Sequence, residues 1–154
     1  MSINVFMTHL AIINNKVVSS RDSRGNITYT DSKKPVVGRY AKATKKDKVK
    51  QGQKDVEVDI IFYTKDYVSA KVGDTLEDFY LGQDASAGSF IKKGQNSELG
   101  ASDLVGYQAY FATLTSGIDT NIYRIIKVDE QFDDPVMHHK KLYLIKTQLN
   151  DSSV

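Results

Sequence analysis

The chain has no cysteine, so disulfides, thiol catalysis and cysteine-held metals are excluded from the outset. No apolar run approaches the roughly 20 residues a membrane-spanning helix requires. The opening, Met1 to Leu10, lacks a charged first region and an uninterrupted apolar stretch, so no cleaved secretion signal is expected and synthesis is expected in the cytoplasm. The phosphate-cradling pattern G-x-x-x-x-G-K-[ST] is missing, as is the G-x-S-x-G elbow of a nucleophilic serine. These gaps leave enzymatic readings without a motif. Net charge is only +2, too small to argue for a nucleic-acid partner by itself.

What remains is ordinary for a globular protein: 154 residues, 40% hydrophobic and 26% charged, enough for one domain with a core of its own. The clearest signal is Val56 to Phe62, where Val56, Val58, Ile60 and Phe62 alternate with Glu57 and Asp59, as in a half-buried strand. A second run, Tyr67 to Val72, leads into Gly73-Asp74. There glycine permits a positive φ and aspartate bonds nearby amides, so a turn is expected before a strand over Thr75 to Leu81. Asp74 is read as that turn's cap rather than as a catalytic carboxylate.

Earlier in the chain, His9 to Ile13 reads as a strand, Asn14-Asn15 as a turn and Lys16 to Ser19 as a continuation; Arg21 to Asn26 has loop chemistry. Ile27 to Thr30 and Val36 to Ala43 read as two further strands, with Pro35 at the start of the second, where its missing N–H is tolerated. Later, Asn121 to Val128 carries apolar residues on both faces and reads as a central strand. Asp129 to Pro135 reads as an acidic turn and His138 to Leu149 as the last strand. Repeated short strands with little helical period predict a single all-β domain over 1–154, a small β-barrel or sandwich with long inserted loops.

Two stretches stand apart. Residues 44–54 form a basic loop, with Lys45, Lys46, Lys48, Lys50 and Lys54 against Asp47 and only Val49 to bury; a solvated hairpin tip and a phosphate-facing loop are both open readings. Residues 82–120 are punctuated by glycines at 82, 88, 94, 100 and 106. That six-residue period suggests a left-handed β-helix, but Lys93 would point inward and the turns are too few, so a flexible loop from Gly82 to Gly100 is expected instead. Then comes one element whose period is ambiguous: Leu104, Tyr107, Phe111 and Leu114 fit a helix face, while Val105, Tyr107, Ala109 and Phe111 fit a strand. Aromatic and threonine content favours strand. One metal constellation is conceivable, Asp129, Glu130, Asp133 and Asp134 with His138 or His139, although adjacent strand histidines face opposite ways; a hydrated hairpin loop is the simpler reading, and no metal or cofactor is assigned.

Taken in order, four places resemble the head-closure or stopper group of head-tail connectors from the neck of tailed bacteriophages. These are the first strand with Arg21-Asp-Ser-Arg-Gly-Asn26, Val36-Val-Gly-Arg39, Ile60-Ile-Phe-Tyr-Thr64 leading to Val72-Gly-Asp-Thr-Leu76, and Tyr123-Arg-Ile-Ile-Lys-Val128 with the return strand His138 to Thr147. The chain departs from that pattern between Leu81 and Thr120, where related proteins pass between strands in a few residues.

The resemblance implies a non-enzymatic virion protein without cofactor, made in the host cytoplasm. It would form a homo-oligomeric ring that meets a portal or adaptor ring and tail proteins, away from membranes, and helps retain packaged DNA. Under it, Lys45, Lys46, Lys48 and Lys50 are expected to face DNA or a neighbouring ring. The 82–120 insertion, with Phe90, Lys92, Lys93, Tyr107, Tyr110 and Phe111, is expected to act as a plug or docking arm. The alternative is a monomeric oligonucleotide-binding β-barrel in which Tyr63, Tyr67, Tyr107, Tyr110 and Phe111 stack bases.

Overall fold

Hydrogen-bond ladders close six strands into a barrel, and a computed structural model describes it over residues 7–44, 48–51, 54–65, 67–82, 85–131 and 139–147. The strands are β1 (His9–Arg21), β2 (Ile27–Lys42), β3 (Lys48–Gln51), β4 (Lys54–Glu57), β5 (Ile60–Lys65), β6 (Thr75–Tyr80), β7 (Ile118–Asp119), β8 (Tyr123–Gln131) and β9 (His139–Lys146). Two helices, α1 (Ala85–Asn96) and α2 (Ala101–Phe111), lie between β6 and β7. The order β1-β2-β5-β9-β8-β6 returns to β1 through a β1–β6 pairing, β7 adds to β6, and β3 and β4 form a separate two-stranded ribbon. Closure leaves the body without a free sheet edge where the six strands overlap. Of the all-β barrel or sandwich expected from the strand pattern, the chain forms the barrel.

Alternation fills the barrel. Ile13, Ile60, Phe62, Leu76, Phe79, Ile125, Leu142 and Leu144 meet inside, with the ring of Phe79 edge-on to Tyr40, Phe62 and Tyr123 at 5.4–5.7 Å between centroids. One end is closed by Asp119, whose carboxylate accepts from the Tyr40 hydroxyl at 2.9 Å, the Tyr123 hydroxyl at 2.6 Å and the Asn121 amide nitrogens. Those donors hold the Asp119 carboxyl below its usual range against the burial that would raise it, while burial and the Asp119 charge push the Tyr40 hydroxyl up to about 12.

Several expectations are corrected. Asn14-Asn15 is no turn: β1 runs unbroken because both residues pair with β2, and the chain reverses only at Asp22–Asn26, where the Asp22 carboxylate accepts from the Arg24 and Asn26 amides. Ile27 to Lys42 is one strand with Pro35 inside it, opposite Ile12; before Gly38, β2 pairs only with β1, so the proline sits on what is locally an edge. The alternation from Val56 to Phe62 is not one strand. It breaks at Val58-Asp59, where β4 leaves the ribbon and β5 enters the barrel, and Ile60, Ile61 and Phe62 are all buried because both faces of β5 are covered. Tyr67 to Val72 is a bend and irregular backbone leading into the Gly73 turn rather than a strand.

The insertion is helical. Gly82 to Gly100 is not a loop without structure, because α1 occupies most of it, and Leu104 to Phe111 is helix, not strand. The tertiary reason is a second core outside the barrel, where Leu10, Ile12, Val37 and Tyr80 point outward and are covered by Ala87, Leu99, Tyr107 and Phe111. A helix presents Tyr107 and Phe111 on the same face one turn apart, matching that patch.

Candidate functional site

Beyond the point where β6 and β5 stop pairing with them, β1 and β2 continue together as a two-stranded arm. Between Lys16 and Lys33 every residue whose exposure is described is exposed, including Val17 at 47% and Ile27 at 40%. The ladder runs to Arg21 opposite Ile27 with one irregularity near Val18. Among the described residues no third strand pairs with this stretch, and beside the main-chain ladder the Thr30 hydroxyl donates to the Val17 carbonyl at 3.5 Å; a two-stranded ribbon of this kind has outer edges that a further strand can pair with. The root is fixed by charge: Lys33 pairs with Glu77 of β6 at 2.9 Å and Lys34 with Glu98, between the helices, at 2.7 Å. The Lys34 ammonium holds the Glu98 carboxyl below its usual range.

Beside this root lies an open cleft of about 500 Å³ with a mixed lining, polar from Asn15, Ser32, Lys34, Ser69, Lys71, Asp74 and Lys140 and apolar from Val17 and Ala70. Asp74, 1% exposed, accepts from the Asn15 side chain at 2.8 Å and from the Lys71 and Lys16 amides at 3.1 and 3.2 Å. Gly73 takes a φ of +100°, so the Gly-Asp turn and its capping aspartate form as the sequence implied. Occupied on three sides, this carboxylate ties the turn to β1.

The basic loop is in part a ribbon. Lys45 and Lys46 lie outside the described residues, but register sets Lys48 opposite Glu57 and Lys50 opposite Asp55, with Val49 opposite Val56.

Of the insertion residues, Tyr107 and Phe111 belong to the second core, Phe90 and Tyr110 pack against it, and Lys92 and Lys93 are exposed. Tyr107 is fully buried and donates its hydroxyl to the Asp78 carbonyl at 2.6 Å; Phe111 is buried, and Phe90 lies edge-on to Tyr107 and stacked on Tyr110. Lys93 pairs with Asp103 at 3.0 Å, and Asp103 also accepts the Gly100 amide at the start of α2. Lys92 is exposed. Asp78 has a φ of 53° at an irregularity where β1 pairs Leu10 with Tyr80 and Ile12 with Glu77, so Tyr107 clamps the carbonyl of a bulged strand. On α1, a Cβ at Gly94 would run into the Val37 side chain, and the Gly94 carbonyl accepts from the Tyr67 hydroxyl, so this glycine brings helix and barrel together.

The proposed stacking set is therefore divided. Tyr107 and Phe111 are core, Tyr67 bonds α1, and Tyr110 lies against Tyr80 and Phe90; of the five, only Tyr63 lies on the outer sheet face. Of the metal constellation, Asp133, Asp134 and His138 lie outside the described residues. Asp129 accepts from the Tyr143 hydroxyl at 3.1 Å and pairs with Lys127, and Glu130 pairs with Lys140 at 3.6 Å. Asp129 and Glu130 belong to β8 rather than to a turn, and no metal-holding group occurs among the described residues.

Sequence reasoning missed an outer face. On β5, β9 and β8, register lines up Tyr63 with Lys141 and Asp129, and Ile61 with Tyr143 and Lys127. The Lys141 ammonium lies 5.1 Å from the Tyr143 ring centre and 5.9 Å from that of Tyr63, and Lys127 lies 5.4 Å from Tyr143. These residues are far apart in sequence, and only the period-two pattern of each strand hinted that they share a side. No family model, curated protein or solved structure matches the chain.

Proposed function

We propose that this chain is a structural virion protein of a tailed-phage neck, one subunit of a ring that joins or closes the portal-tail channel and helps retain packaged DNA. The observation that carries the reading is the β1–β2 arm. A closed barrel supplies a rigid base, and from it a ribbon that pairs with no third strand among the described residues, with Val17 and Ile27 exposed, reaches into solvent. Such an edge gains its missing main-chain bonds by pairing with another chain, and neighbouring copies in a ring provide that partner at every subunit. Salt links at the root hold the arm's direction relative to β6 and the helices. The order of strands and turns that resembles head-closure proteins supports the same reading.

Native mass spectrometry of the full chain, alone and with portal-complex components, tests it. A ring is expected on the portal partner, and replacing residues 17–30 by a short turn should leave a folded monomer that no longer enters the ring. A folded full-length chain that stays monomeric with every neck component would overturn the reading.

A further inference from the structure

The two edges of the arm are not alike. On the outer side of β1, pairing with β6 ends at Asn14, and the next outward amide, that of Lys16, is taken by the Asp74 carboxylate at 3.2 Å. Further out the β1 register slips between Val18 and Ser20, and such a bulge spoils an edge for a further strand. β2 runs through the same stretch without skipping a residue, and among the described residues no strand pairs with its outer side before Gly38.

Bond direction can be followed along β2. Asp31 lies opposite Lys16, and opposite residues of an antiparallel pair aim their main-chain groups either at each other or both away. The Lys16 amide points away from β2, so Asp31 also turns its amide and carbonyl outward, as do Tyr29 and Lys33 at the two-residue period. Two contacts agree: Val37, of the same parity, gives its carbonyl to the Thr64 hydroxyl of β5, while the Tyr40 amide, of the other, reaches His9 of β1. Pro35 ends the series as an outward position without an N–H. The open edge is therefore Ile27 to Lys33, bounded by the Asp22–Asn26 turn on one side and Pro35 on the other.

One open edge per copy suits a pairing that stops at two chains. Centred on Thr30, an antiparallel two-fold pairing uses the whole open edge of both copies, setting Ile27 opposite Lys33, Thr28 opposite Ser32 and Tyr29 opposite Asp31. No charge then directly faces its like. A centre at Asp31 sets that carboxylate against itself, and one at Ser32 brings Pro35 into the ladder. A centre between residues sets outward positions against inward ones, which leaves their bonds unmade.

We propose that the chain, away from any ring, pairs with a second copy along this edge, the two β2 strands meeting about a two-fold axis at Thr30 and joining both arms into one sheet. The inference goes beyond the neck reading: such a pairing hides the arm until a neck partner displaces it, and it stands or falls whether or not a ring forms.

Sedimentation of the full chain should show a dimer whose share rises between about 1 and 200 µM, because two short edges bury less than a stable interface does. Asp31→Pro removes an outward amide and none that bonds β1, so it should weaken dimerisation more than about tenfold while circular dichroism and melting keep the fold. Val18→Pro, on the bulged β1 edge, should change it less than about twofold. The chain has no cysteine, so Thr30→Cys supplies one thiol per copy, opposite its twin, and tests the register even if a proline disturbs the arm. It should form a disulfide-linked dimer faster than Ile27→Cys or Ser32→Cys. A chain monomeric throughout that range, a dimer that survives Asp31→Pro or is broken equally by Val18→Pro, or fastest cross-linking away from Thr30 would overturn the inference. Native mass spectrometry with the portal components reads the ring separately, so a monomer that still enters a ring defeats this inference and leaves the neck reading standing.

Discussion

The strands β1 and β2 have two halves that differ in everything except backbone. From Leu10 to Ile13 and from Val36 to Val37 they are buried on both faces, by the barrel interior on one side and by α1 and α2 on the other. From Lys16 to Lys33 the same ladder continues with its described side chains in solvent. The barrel half is held by apolar burial and the arm chiefly by main-chain pairing, which is marginal for a two-stranded ribbon in water. A segment can therefore be regular in structure and low in local stability, the condition in which a partner gains most by covering it.

The sharpest way to break the comparison is at the barrel's centre. Phe79→Ala removes the ring that meets Tyr40, Phe62 and Tyr123 and should cost about 3–5 kcal/mol in urea unfolding. A loss below about 1 kcal/mol would mean that the interior is not packed around that ring.

Next comes acid. The His9 ring accepts the Tyr40 amide through Nδ1 at 3.0 Å, and burial with the nearby Arg39 lowers its pKa to about 4. The folded state thus resists protonation that the unfolded chain accepts near 6.5, so stability is full above that value and declines as pH falls towards 4. After discounting for the solvent-exposed part of the ring, the loss should be about 1–2 kcal/mol. His9→Gln should flatten this part of the pH profile of melting temperature; an unchanged slope would place the dependence elsewhere.

Tyr107→Phe keeps the ring in the second core and removes only the hydroxyl on the Asp78 carbonyl, for an expected loss of about 1 kcal/mol. Chemical denaturation reads that value, and hydrogen exchange near Asp78 should rise with it. Smallest of all is the arm. Val17→Ser should move global stability by less than about 0.5 kcal/mol, while arm amides in the free chain should exchange far faster than those of Leu10 to Ile13. If arm and barrel amides were equally protected in a proven monomer, the contrast between the halves would fail.

Legibility in the sequence followed the same division. Where local signals are strong the elements could be placed: β6 follows from the Gly73-Asp74 turn before it, and β9 from its run of strand-forming residues. Where both faces are covered the pattern fades: Ile60-Ile61-Phe62 belongs to two clusters at once, so the break between β4 and β5 went unseen. The outer lysine and tyrosine face is not legible in the sequence because its members come from three strands that only the barrel sets side by side.

By itself the order of residues determined that strands would form, where Gly73-Asp74 and Asp22 to Asn26 would turn, and that they would build an all-β body, because these depend on near neighbours and a two-residue period. Only the tertiary structure decided that 85–111 is mostly helix and which strands close the barrel. Tyr107 and Phe111 suit either period, and the choice fell to the outward patch of Leu10, Ile12, Val37 and Tyr80 that a helix covers. Burial against a distant surface outweighs local preference, and that surface exists only once the barrel has closed.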